Sequence, residues 1–259
     1  MLFPVFLFSQ KENWDTYMAS YEKGPGSTLL DMSLKNIAPI RVLPFVLVTG
    51  VTFEKCTPEG FPQDDQFSDL YLVSDSVETS LSKTVGAKLV GTFTYQCQRL
   101  DYYYLSDTNA IRNSLVELYQ KSFPHYTYYI NIKADSAWTY YLDFLYPNEQ
   151  IMEYMSNQKV VLQLLKQGDK LLKPRQVDHW LYFMSEKGRD NFITYAKDQN
   201  FKIEAKETIK DSELPYQLHI SRTDKVDLSS ITQLTLELRK MARKFNGDYD
   251  GWETFLVKD

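Results

Sequence analysis

Cysteine and histidine are scarce in this chain, with two cysteines and three histidines among 259 residues. Cys56 and Cys97 lie far apart and neither has a second Cys or a His pair nearby, a spacing that excludes a zinc site. Two buried free thiols are the ordinary outcome for such a pair, and a disulfide is expected only if the protein is exported. Long apolar runs are also missing. No stretch approaches the roughly 18 residues that cross a bilayer, so no helical membrane span is expected. The glycines around Lys23–Ser27 are not followed by Gly-Lys-Ser/Thr, which removes a phosphate loop, and no Gly-x-Ser-x-Gly elbow or Cys-His context marks a hydrolase. No cofactor fingerprint is present. Strong positive charge is absent too. Residues 1–149 hold 17 acidic and 11 basic side chains and residues 150–259 hold 17 and 18, so direct binding to a nucleic-acid backbone is not expected.

Aromatics and alternating apolar residues are abundant. The 19 Tyr and 15 Phe fall mostly in short alternating runs, the composition of sheet rather than of a helical bundle. The length suits two domains, placed at 1–147 and 148–259. After a hairpin with Trp14–Tyr21 and Thr28–Leu34 as its strands and a loose turn at Lys23–Ser27, the first half reads strand, helix, strand, strand, helix, strand. Following an aromatic connector, Trp138–Pro147, and a helix over Ile151–Leu165, the second half repeats that order. This predicts an α+β chain of two tandem ferredoxin-like (βαββαβ) sandwiches, with helices on one face of each antiparallel sheet. The apolar run Leu2–Phe8 reads equally as an edge strand or as the remnant of a signal peptide.

The most informative stretch is Arg239–Phe255, RKMARKFNGDYDGWETF. Leu228, Ile231, Leu234, Leu238, Met241 and Phe245 recur at steps of three and four, one face of a long helix. Gly247 follows where a left-handed cap is expected, and a strand follows at once. Gly251 interrupts that strand, as glycine does at a bulge or where another backbone approaches closely. Tyr249, Trp252 and Phe255 read as core, although an exposed member of the set would make a binding anchor. Asp250 and Glu253 form a carboxylate pair, with Asp250 expected to hydrogen-bond its own backbone. Arg239, Lys240, Arg243 and Lys244 suit the negative end of the helix dipole. His125, His179 and His219 all fall in predicted strands as structural residues, with His179 in Asp178-His179-Trp180 the strongest site candidate of the three.

That C-terminal helix running into Gly-Asp-Tyr-Asp-Gly-Trp-Glu-Thr, together with Lys159–Ile203 and its Asp178-His179-Trp180, resembles the family of the regulator of ribonuclease activity B. The first part of the chain is similar to the family catalogued as domain of unknown function number 695. The residues that carry this are Trp14, the hairpin Asp15–Leu34, Arg41-Val42-Leu43-Pro44-Phe45, the helix near Phe67–Leu81, and Arg99-Leu100-Asp101-Tyr102-Tyr103-Tyr104. The resemblances imply a cytoplasmic, non-catalytic interaction protein whose C-terminal domain binds a protein partner, an endoribonuclease of the ribonuclease E type. The candidate binding residues are His179, Trp180, Tyr249, Asp250, Gly251, Trp252 and Glu253, with no catalytic or metal-binding residue among them. Two other readings stay open: an enzyme of unrecognised type with a site between the domains near His179, and an exported binding protein. The C-terminal half is not acidic, which departs from a bulk electrostatic mode of docking on a basic ribonuclease segment.

Overall fold

The computed structural model describes residues 11–258, so the Leu2–Phe8 run lies outside the described residues. The chain forms two compact units, one ending at Pro147 and the other beginning at Asn148.

In the first unit the strands are β1 (Trp14–Tyr21), β2 (Gly24–Asp31), β3 (Phe45–Thr52), β4 (Ala87–Tyr95), β5 (Gln98–Leu105) and β6 (Thr127–Ala134). The helices are α1 (Phe67–Ser82) and α2 (Ile111–Ser122). The sheet is antiparallel in the order β1-β2-β4-β5-β3-β6. Without the first hairpin this is the ferredoxin-like strand order. The hairpin turn is tighter than the sequence suggested, since Tyr21 pairs directly with Gly24. His125 lies in a turn rather than in a strand.

The central strands of this sheet are buried on both faces. Leu47, Val51, Tyr103 and Leu105 pack under Leu70, Val73 and Val77 of α1 and Leu115 and Tyr119 of α2. The other face is covered by the connector, which turns through a π-helical stretch at Tyr140–Leu145. Trp138 stacks on Tyr104 at 3.9 Å and is wholly buried, and its indole N–H donates to the Leu43 carbonyl. Phe144 meets Phe93 and Tyr102 at 5.2 and 5.8 Å. Asp135 anchors the start of the connector by accepting from the Tyr104 hydroxyl at 2.5 Å and from the Thr139 and Tyr140 amides. Burial on both sides explains why β3 reads as a continuous apolar run rather than as an alternating one.

Cys56 and Cys97 are joined in a disulfide, with Cα atoms 5.7 Å apart, contrary to the expectation of two free thiols. Two backbone bonds hold the two segments in register, Phe53 to the Cys97 carbonyl and Cys97 to the Gly60 carbonyl, and Thr57 to the Phe61 carbonyl closes the loop itself. This non-local docking brings together two cysteines that sequence spacing left apart.

The second unit contains α3 (Glu149–Lys166), β7 (Arg175–Phe183), α4 (Glu186–Asp198), β8 (Lys202–Thr208), β9 (Tyr216–Asp224), α5 (Leu228–Lys244) and β10 (Gly247–Thr254). Its sheet is antiparallel in the order β10-β7-β9-β8, the full ferredoxin-like arrangement. Side-chain caps start three of its helices, with Asn148, Ser185 and Asp227 accepting from the amides of Ile151, Gly188 and Ser230. Leu181, Phe183, Leu218 and Ile220 form the core with Phe192 of α4 and Leu238 and Ala242 of α5. At the end of α5 the left-handed residue is Asn246, with φ 56°, and not Gly247. Gly247 is required for a different reason, because a Cβ there would lie 2.3 Å from the Phe183 ring.

Candidate functional site

β7 and β10 lie side by side and carry all seven of the candidate residues. Strand alternation divides the β7 residues. Val177, His179, Leu181 and Phe183 face the helices and are buried, whereas Asp178, Trp180 and Tyr182 face the opposite side and are half-exposed. β10 follows the same rule until a bulge. Tyr249 pairs with Leu181 and Gly251 with Trp180, which leaves Asp250 as the extra residue. The bulge expected from Gly251 is therefore present. Its glycine does not have the positive φ that a left-handed bulge would need.

His179 and Tyr249 sit in the core, 0% and 1% exposed, with His179 Nδ1 2.9 Å from the Tyr249 hydroxyl. Burial pulls the His179 pKa down to about 3, and the Arg222 guanidinium and His219 push it the same way. The ring is thus neutral near pH 7. Burial likewise raises the Tyr249 hydroxyl, helped by the Glu153 carboxylate. Trp252 pairs opposite His179 and packs beside Val160 and Leu234, its indole N–H donating to Asn157 Oδ1 at 2.7 Å. Asn157, a buried polar residue on α3, also donates to Thr235 on α5 at 2.8 Å. It therefore ties three elements together, and its place within the apolar stripe of α3 was the one sequence signal for it.

On the open side of the sheet, His219 of β9 stacks on Trp180 at 4.6 Å with the rings nearly parallel, and its Nε2 donates to Asp178 Oδ1 at 2.8 Å. Gln217 donates to the Tyr182 hydroxyl at 3.0 Å, and Ser221 donates to Glu204 at 2.6 Å. Among the described residues His219 has Asp178 as its side-chain hydrogen-bond partner. Asp178 and His219 join Trp180 only across strands, through a pairing that linear spacing does not reveal. Glu253 continues the open face opposite Asp178 and is exposed.

The outer edge of β10 faces α3 across a groove of about 450 Å³, which Asp250, Gly251 and Trp252 line together with Glu149, Met152 and Glu153. The two arginines on the basic flank of α5 are spent locally. Arg239 donates to Glu153 and Asp248, each at 2.9 Å, and Arg243 donates to Glu149 at 2.5 Å. It is Asp248, not Asp250, whose carboxylate accepts from the adjacent backbone, at Tyr249 N. Phe255, just past β10, is 57% exposed instead of core.

Behind the site, Asp169 and Arg175 form a buried two-point ion pair. The Asp169 carboxylate also accepts from the Leu171 and Val257 amides. The Arg175 hydrogen bonds hold that carboxyl well below its usual range. The pair fixes the chain beyond β10 to the loop before β7. Among the described residues no group of three His, Cys, Asp or Glu could hold a metal ion.

No curated protein matches the chain. Among the solved structures that resemble it remotely are two examples. One is titled "Crystal structure of putative glycine cleavage system transcriptional repressor", with 10% identity, 83% of this chain and 98% of that chain covered, and a TM-score of 0.22. The other is an unknown protein from Galdieria sulphuraria, with 10% identity, 82% and 97% coverage, and a TM-score of 0.23. Likenesses this distant bear on neither fold nor activity. Family comparison divides the chain clearly, since residues 155–254, from within α3 to the end of β10, match the regulator of ribonuclease activity B. Residues 12–146 match the family of unknown function DUF695 over half the chain, and the protein belongs to that family.

Proposed function

We propose that the protein is a non-catalytic regulator that acts by binding, its C-terminal unit engaging an endoribonuclease of the ribonuclease E type. The observation that carries this is the match of residues 155–254 to the regulator family. The surface chemistry supports it. The unit presents half-exposed aromatics on β7, carboxylates on β10 and a groove along α3, while the histidine in the family motif is buried and neutral. With 17 acidic and 18 basic residues from 150 onward, attraction between net charges is too weak to drive docking. Specific local contacts must supply the affinity. The test titrates the full-length protein into cleavage of a structured RNA by a purified ribonuclease E-type enzyme, with direct binding followed by surface plasmon resonance. Saturable binding with slowed cleavage is expected. Unchanged cleavage and no binding at micromolar protein would overturn the reading.

A second reading, an exported binding protein, is favoured by one observation, the Cys56–Cys97 disulfide, because such bonds persist in oxidising compartments. Rapid thiol trapping in cells of the native organism separates the two. Free thiols accord with a cytoplasmic regulator, and a fully oxidised pair accords with export.

A further inference from the structure

We propose that the outer edge of β10 around Gly251, with the facing side of α3, docks an extended peptide segment whose Lys or Arg side chains enter the groove. This rests on the reading that the C-terminal unit binds a protein, and adds the surface and the chemistry of what it takes. Gly251 is the first observation. Its φ lies outside the left-handed region, and a Cβ built on it would meet nothing within 4 Å. Gly188 and Gly247 differ, since a Cβ on either would strike the Phe245 carbonyl or the Phe183 ring. The fold therefore requires glycine at 188 and 247 but not at 251. A bare backbone in mid-strand weakens the strand without helping its packing, and what it provides is unobstructed approach from outside.

The second observation is topological. β10 is an edge strand, paired with β7 on one side and with no strand on the other among the described residues. An extended peptide can add to such an edge, with main-chain hydrogen bonds giving affinity and alternate side chains giving specificity. The bulge at Asp250 breaks the regular ladder and so guards against indiscriminate pairing.

Charge selects the occupant. Of the groove carboxylates, Glu149 is paired with Arg243 and Glu153 with Arg239, which also serves Asp248, so Asp250 is the one that meets no cation among the described residues. Asp250 and Glu253 are exposed and form no hydrogen bond or ion pair with another described side chain. Phosphates would be repelled here, whereas a guanidinium or ammonium would be attracted. The aliphatic stem of such a side chain has Met152 and the Trp252 ring to lie against.

The experiment selects a phage library of random 12-residue peptides on the full-length protein and measures binding of the enriched peptides by fluorescence polarisation. The expected result is a Lys/Arg-rich set whose affinity falls at least tenfold in Gly251→Leu, with the melting temperature unchanged. Asp250→Lys with Glu253→Lys is the second variant, should Gly251→Leu unfold. It is expected to weaken binding more at low salt than at high salt. No enrichment, an acidic or apolar set, or binding indifferent to these variants would overturn the proposal. A ribonuclease bound equally by wild type and Gly251→Leu would keep the ribonuclease partner and remove this surface. Basic peptides bound with no ribonuclease binding would do the reverse.

Discussion

The two units share one strand order and treat the face of the sheet away from the helices in opposite ways. In the first unit the chain's own connector closes that face, with Trp138 on Tyr104 and Phe144 against Phe93 and Tyr102. In the second, Trp180, Tyr182 and His219 stay half-exposed among Asp178, Glu204 and Glu253. The same topology can therefore be a finished sandwich or a surface. What decides between them is whether a following segment carries enough aromatic area to cover the sheet, and residues 138–146 do. The aromatic wealth of the sequence is thus not evenly functional. In the first unit much of it is core, although Tyr71 and Tyr129 are exposed, and in the second some of it remains available.

The comparison can be broken most sharply by Trp138→Ala. Removing this buried ring should cost about 3–5 kcal/mol of stability, while Trp180→Ala, on the open face of the other sheet, should cost about 1 kcal/mol or less. Chemical denaturation of both variants checks this, and equal losses would mean that the faces are equivalent. Reduction of the Cys56–Cys97 bond acts on the first unit alone and should lower its stability by about 4 kcal/mol in the loop-entropy account. Differential scanning calorimetry with and without reductant measures it.

The second unit has its own pH signature. His179 binds a proton near pH 6.5 when unfolded and only near about 3 when folded, so the unfolded state holds more protons between those values. The His179 contribution should be constant above about pH 7 and fall as pH drops from about 6.5 toward 3, by up to about 4 kcal/mol. Denaturation midpoints against pH should lose this slope in His179→Gln. Smallest of all is Gly251→Ala. With open space at the Cβ and ordinary φ, it should change stability by about 0.5 kcal/mol or less. A drop of several degrees in melting temperature would show that the bulge needs glycine after all.

Much of this was legible in the sequence, for local reasons. The 3.6-residue stripe of Ile231, Leu234 and Leu238 gave α5, and Gly251 flagged the β10 bulge. Three features were not legible. Alternation says that a strand has two faces but not which of them a later segment will cover, so the connector's role over the first sheet was invisible. The joining of Cys56 to Cys97 depends on a loop docking against the β4–β5 turn, which is non-local. At the end of α5, Asn and Gly both tolerate the left-handed region, so the sequence Asn246-Gly247 does not say which of the two adopts it. For the candidate residues, the sequence placed His179 and Trp180 in one strand, but His219, which stacks on Trp180, and Asn157, which holds Trp252, come from other elements.

The Cys56–Cys97 bond also alters how the chain carries load. It encloses α1 and β4 in a covalent ring, so tension applied at the two termini passes through the sulfur bridge and bypasses both elements. In an optical trap the oxidised protein should release about 13 nm less contour length than the reduced one, from a sequence separation of 41 residues. That missing length makes the ring a gauge, read one molecule at a time, of whether the two sulfurs are joined.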